Sequence, residues 1–106
     1  MIDKTSAMNV FQITEEEYDE LLSDFIEQAN QKIQNIESAL KNNDIPVLAR
    51  EIHAMKGVAG NMRLNDCYET IVSIETALKA GNNALVKSGV SGFRDCIEEI
   101  RLSVKR

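Results

Sequence analysis

One proline and no tryptophan occur in 106 residues, and aromatic side chains make up only 5%. Strand-like alternation is absent, while Leu, Ile, Ala, Glu, Lys and Gln recur, a composition that favours helix throughout. No apolar run approaches the roughly 20 residues needed to cross a bilayer, and the start, Met1-Ile2-Asp3-Lys4-Thr5, lacks the basic and then apolar pattern of a secretory signal. A cytoplasmic location is expected. No block of five or more Lys/Arg residues offsets the formal charge of −5, so neither nucleic acid nor an anionic membrane surface is an expected partner. Two cysteines, Cys67 and Cys96, are too few for a disulfide scaffold and too far apart for a zinc site of the CxxC type. They read as small buried hydrophobes whose free thiols suit a reducing compartment.

What is present is helical punctuation and helical periodicity. Thr14-Glu15-Glu16-Glu17 reads as a capping box, followed by Tyr18, Leu22, Phe25, Ala29, Ile33, Ile36 and Leu40 at helical spacing. This predicts a first long helix over about residues 15–41. Asn42, Asn43 and Asp44 break it; Asp44 can cap a second helix that tolerates Pro46 in its first turn and ends near Arg63. Leu48, Ile52, Met55, Ala59 and Met62 form its apolar stripe. A third helix starts around Asn65 or Asp66, with Asp66 and Glu69 read as capping, and carries Cys67, Ile71, Ile74 and Leu78 before the stop at Gly81-Asn82-Asn83. The fourth runs from about Ala84 to Val104 on Val86, Val90, Phe93, Ile97, Ile100 and Val104.

Four amphipathic helices joined by short connections must be antiparallel neighbours. The expected fold is therefore all-α, an up-down-up-down four-helix bundle over about residues 14–104. Residues 1–13, with Met8, Val10, Phe11 and Ile13, form a short extra helix or an extended segment across one end. The whole of 1–106 reads as a single domain.

The only histidine lies in Ile52-His53-Ala54-Met55-Lys56-Gly57-Val58-Ala59-Gly60. Taking the core stripe of the second helix as zero, His53 points about 140° away and Gly57 about 180° away. Gly60 falls near 120°, Ala49 near 100° and Lys56 near 80°, with Arg50 one turn earlier on the same surface. His53 is thus expected in solvent, among small residues, with cations beside it. Glycine costs about 0.5–1 kcal/mol relative to alanine inside a helix, so two glycines beside the ring point to close approach by another molecule. Neutral imidazole is a good nucleophile near pH 7, and Lys56 and Arg50 would keep it neutral and attract an anionic electrophile. Those are the requirements for accepting a phosphoryl group.

The run Ala49-Arg50-Glu51-Ile52-His53-Ala54-Met55-Lys56-Gly57-Val58-Ala59-Gly60-Asn61 resembles the signature of the histidine-containing phosphotransfer (HPt) domains of two-component phosphorelays. Phe25, Ile36, Ala39-Leu40, Asp44 and Leu48 before it, and Cys67, Ile74, Glu75 and Gly81 after it, fall where such domains carry similar residues. The resemblance implies that His53 is phosphorylated by a receiver-domain aspartyl phosphate and passes the group to the aspartate of a second receiver. It implies that Lys56 contacts the phosphoryl group and that Ala49, Arg50, Gly57, Gly60, Asn61 and Arg63 form the receiver-docking surface. Response-regulator receivers and a sensor histidine kinase are the implied partners of a monomeric carrier without kinase activity. The chain needs no cofactor or metal of its own, since the Mg²⁺ that neutralises the transition state is expected on the receiver. Many members have glycine at the position of Arg63. The initial methionine and complete bundle favour a free-standing shuttle over a segment of a hybrid sensor kinase.

Three other readings compete with this one. A helical adaptor that docks receivers without being phosphorylated would use the same glycines. A haem bundle would need His53 with Met8, Met55 or Met62, yet Met55 and Met62 lie on the core stripe and His53 faces outward. A receiver phosphatase would need an amide or acid to position water, and Asn61, about 220° round the helix, is poorly aimed for that.

Overall fold

The helices of this chain begin and end at identifiable chemical signals. The computed structural model describes residues 4–104, which form α1 (Lys4–Phe11), α2 (Glu15–Asn42), α3 (Ile45–Asn61), α4 (Asn65–Lys79) and α5 (Asn83–Ser103). The Thr14 hydroxyl accepts the Glu17 backbone N–H at 3.1 Å while the Glu17 carboxylate accepts that of Thr14 at 3.0 Å, which is the expected capping box. Asp44 caps α3 by accepting from Val47, and Asn82 caps α5 by accepting from Leu85. α4 departs from expectation. Its N-cap position is Leu64, with no side-chain cap; Asp66 lies inside the first turn, where a negative charge suits the helix dipole.

The reversals after α2, α3 and α4 share one device. Asn43, Arg63 and Gly81 adopt left-handed φ values of 52°, 61° and 72°. The residue after each donates its N–H back to the last turn: Asp44 to Ala39, Leu64 to Ala59, Asn82 to Ala77. Only at Gly81 is that conformation free of a Cβ penalty. At Asn43 and Arg63 a side chain bears that penalty, which is the backbone reason for the glycine that the resemblance implies at the position of Arg63.

Packing follows the apolar stripes. α2 packs on α3, α3 on α4, α4 on α5 and α5 back on α2, while α1 lies against α2, giving four long helices in cyclic order with a short N-terminal helix added. The long axis of 42 Å equals the length of α2 at about 1.5 Å per residue. Tyr18, Leu22, Phe25, Ile36, Leu48, Ile52, Met55, Ile71, Ile74, Val86 and Phe93 fill the centre. The last residue of each expected stripe, Leu40, Met62, Leu78 and Val104, is only half-buried, because each lies at an end of the bundle where fewer neighbours cover it. The N-terminal segment is helical from Lys4; its residues 1–3 lie outside the described part. Ala7 is fully buried, and the Phe11 and Tyr18 rings pack with centroids 6.2 Å apart. The Tyr18 hydroxyl donates to the Met62 carbonyl at 2.9 Å, tying the start of α2 to the end of α3.

Two buried carboxylates, Asp19 of α2 and Glu51 of α3, were not visible in the periodicity. Glu51 is 6% exposed and meets Lys32 of α2, Nζ to Oε2, at 2.7 Å, with Arg50 at 3.8 Å. The pair fixes α3 against α2 on the side away from α4.

Candidate functional site

His53 stands at the midpoint of α3, eight residues from either end. Ile52 and Met55 turn into the core on its flanks, so the ring is driven outward, and its side chain is 74% exposed. Gly57, one turn on, has no heavy atom within 4 Å of where a Cβ would sit. At Gly60 a Cβ would touch only the ring of Tyr68, at 3.5 Å. Ala49 and Arg50 are exposed one turn before the histidine. His53, Gly57 and Gly60 thus form one accessible, sterically bare surface, with Lys56 half-buried at its α4 edge.

Asn61 and Arg63 are exposed but do not join the ring's immediate surroundings. Asn61 is the last residue of α3, about 12 Å along the axis from His53, and Arg63 lies past the C-cap Met62, about 15 Å along it. Either can reach only the margin of a molecule seated over the ring.

The structure adds a residue that the sequence reading did not assign to the site. Glu75 of α4 places Oε2 3.5 Å from His53 Nδ1 and Oε1 2.8 Å from Lys56 Nζ. The surroundings of the imidazole are therefore not uniformly positive: the charge of Lys56 is engaged by Glu75, and that of Arg50 lies nearest Glu51. The Lys56 hydrogen bond, and then that of His53, holds the Glu75 carboxyl below the usual carboxylate range against the opposing effect of burial. The same hydrogen bond pushes the Lys56 ammonium up, with the Tyr68 phenol adding to the effect. Tyr68, Lys56, Glu75 and His53 form a continuous row along the α3–α4 seam.

A signal for this row exists in the sequence. α3 and α4 form a hairpin about Leu64: Gly60 and Tyr68 lie four residues either side of it, His53 and Glu75 eleven. Equal spacing from the turn puts such residues at the same level in an antiparallel pair. Chemically, the Glu75 carboxylate is on the Nδ1 side of the ring, where it would favour a proton on that nitrogen and a lone pair on Nε2. Among the described residues, no group of three or more His, Cys, Asp or Glu side chains is placed to hold a metal ion, and no helix is long and apolar enough to cross a membrane.

A family model described as the Hpt domain matches residues 20–103, from the second turn of α2 to the end of α5. No curated protein and no solved structure matches the chain. Members of that family interact with receiver domains and histidine kinases. With the four helices, the solvent-facing histidine on the second of them and a family match across more than three quarters of its length, the chain belongs to the Hpt family, the phosphotransfer modules of phosphorelays, which are not themselves kinase domains.

Proposed function

We propose that His53 carries the phosphoryl group, taking it from a receiver-domain aspartyl phosphate and delivering it to the aspartate of a second receiver. The observation that carries this reading is the 74% exposure of the His53 side chain beside a glycine with empty space above it. In the forward step the Nε2 lone pair attacks phosphorus, the bond from phosphorus to the aspartyl oxygen breaks, and the carboxylate leaves with that electron pair. The ring, already holding a proton on Nδ1, becomes a phosphoimidazolium whose positive charge faces Glu75. Delivery reverses each change at a second aspartate. Glu75 serves as a positioning residue in both directions, holding the tautomer and stabilising the charge.

Lys56 supplies the cation for the transferred oxygens by turning from Glu75 toward the phosphoryl group, and the Mg²⁺ of the transition state belongs to the receiver. Gly57 and Gly60 admit the receiver's loops, with Ala49 and Arg50 beneath them and Asn61 and Arg63 at the margin. The chain acts in this reading as one cytoplasmic domain over residues 1–106, a monomer that exchanges partners through a small, weak interface.

The test is incubation with a phosphorylated receiver. The chain should acquire an acid-labile, base-stable phosphate, and His53→Gln should abolish it while leaving the helical circular dichroism and the melting temperature intact. A chain that binds receivers but gains no label is an adaptor, and label that survives His53→Gln places the acceptor elsewhere.

A further inference from the structure

The two thiols, unused by phosphotransfer, stand opposite each other across the packing of α4 on α5. Ile74 and Gly89 mark the register: a Cβ on Gly89 would come 2.5 Å from Ile74 Cγ1, so the α5 backbone runs hard against α4 there. One turn nearer the start of α4, a Cβ on Gly92 would meet Thr70 Cγ2 at 3.8 Å, and Thr70 Oγ1 lies 3.7 Å from Cys96 Sγ. Cys67 and Cys96 share the midpoint of the Ile74–Gly89 pair, between Gly81 and Asn82, which in an antiparallel hairpin sets them at one level. Cys67 is buried beneath the start of α4, and Cys96 is half-buried and reachable from outside. Burial pushes the Cys67 thiol far up, and the nearby Cys96 adds to that effect.

We propose that Cys67 and Cys96 are a redox-modification site, a dithiol that closes to an intramolecular disulfide on reaction with a hydroperoxide. Cys96 reacts first, being the accessible thiol. Its thiolate sulfur attacks one peroxide oxygen, the O–O bond breaks, and with hydrogen peroxide the products are Cys96 sulfenic acid and water. The Cys67 sulfur then attacks Cys96 sulfur, the S–O bond breaks, and the hydroxyl leaves as a second water with the Cys67 proton. Two thiols are oxidised by two electrons in all, and one peroxide is reduced to two waters. The slow step is the second, because Cys67 gives up its proton reluctantly. The product ties the start of α4, next to Tyr68 at the edge of the His53 surface, to α5. This inference stands independently of which residue carries phosphate.

Oxidation of the reduced full-length chain with a few equivalents of hydrogen peroxide tests it. Alkylation and intact mass should show both thiols lost together, the mass lowered by two hydrogens, and the chain monomeric. The disulfide closes a loop of about 30 residues and should raise the melting temperature by roughly 10 °C, reversibly with dithiothreitol. Cys96→Ala should leave Cys67 alkylatable only after denaturation, and Cys67→Ala should stop oxidation at the Cys96 sulfur. Oxygen accumulating on Cys96 of the unsubstituted chain while Cys67 remains a thiol overturns the proposal, as does a product linked between chains.

Discussion

Substituting two helical glycines separates surface kept bare for a partner from surface kept bare for packing. Gly57 and Gly89 both sit inside helices, yet a Cβ at Gly57 meets nothing within 4 Å while one at Gly89 would lie 2.5 Å from Ile74 Cγ1. Alanine gains about 0.8–1.0 kcal/mol of helix propensity over glycine at either site. At Gly57 nothing opposes that gain, so Gly57→Ala should raise the melting temperature by about 4 °C, taking roughly 4 °C per kcal/mol for a domain of this size. At Gly89 the buried, β-branched Ile74 has little rotamer freedom with which to yield. Overpacking there costs about 1–3 kcal/mol and outweighs the propensity gain, so Gly89→Ala should lower the melting temperature by a few degrees. Gly57→Leu keeps most of the helical gain but fills the space above His53, and transfer from a phosphorylated receiver should fall at least about tenfold, equivalent to roughly 1.4 kcal/mol. Thermal melts by circular dichroism and single-turnover transfer measure both sides. A stabilised Gly57→Leu chain with undiminished transfer would refute the reasoning, since receivers would then not approach over this face.

Three further outcomes follow from the geometry. Arg63→Gly relieves a left-handed residue at φ 61° and should stabilise the chain by about 0.5–1 kcal/mol in chemical denaturation; a loss of stability would mean that the Arg63 side chain contributes more than its backbone costs. Lys32→Ala leaves the Glu51 carboxylate, 8% exposed, without its 2.7 Å partner and should cost about 2 kcal/mol, less than a fully enclosed pair because Arg50 lies 3.8 Å away; Lys32→Met with Glu51→Leu should restore most of the loss. Glu75 is held below its ordinary value in the folded chain, chiefly by Lys56, so its contribution is complete above an unfolded value of about 4.3 and is lost as pH falls through the lowered one. The stability gap between the parent and Glu75→Gln should therefore close on acidification, and a gap that widens would contradict the Lys56–Glu75 pairing.

The parts legible in the sequence are those governed by local periodicity. Leu48, Ile52, Met55 and Ala59 recur at helical spacing, and the same pattern that buries them turns His53 and Gly57 outward. Capping by Thr14 and Asp44 is equally local, whereas Asn82, read only as part of the stop of one helix, also caps the next. What periodicity cannot supply is the rotation of one helix against the next. Glu75 joins His53 and Lys56 only because α4 presents that edge to α3, a relation spanning 22 residues. Glu51 shows the same limit: its partner Lys32 sits on another helix, and a polar residue beside the apolar stripe looks solvated until that helix covers it. At Arg63 the missing information was the sign of a backbone angle, to which side-chain chemistry is a poor guide.

The mid-helix position of His53 also limits what this chain can do alone. A phosphate bound at a helix N-terminus is met by amide hydrogens that have no other acceptor, whereas around the centre of α3 every peptide N–H is already committed to a carbonyl one turn back. The main chain at this site has no hydrogen bond to offer a phosphoryl oxygen. If His53 is the phosphoryl carrier proposed above, charge building up on that group must be met by mobile side chains or by the docked receiver, and a loaded chain apart from its donor would hold its cargo on a surface poorly equipped to hydrolyse it.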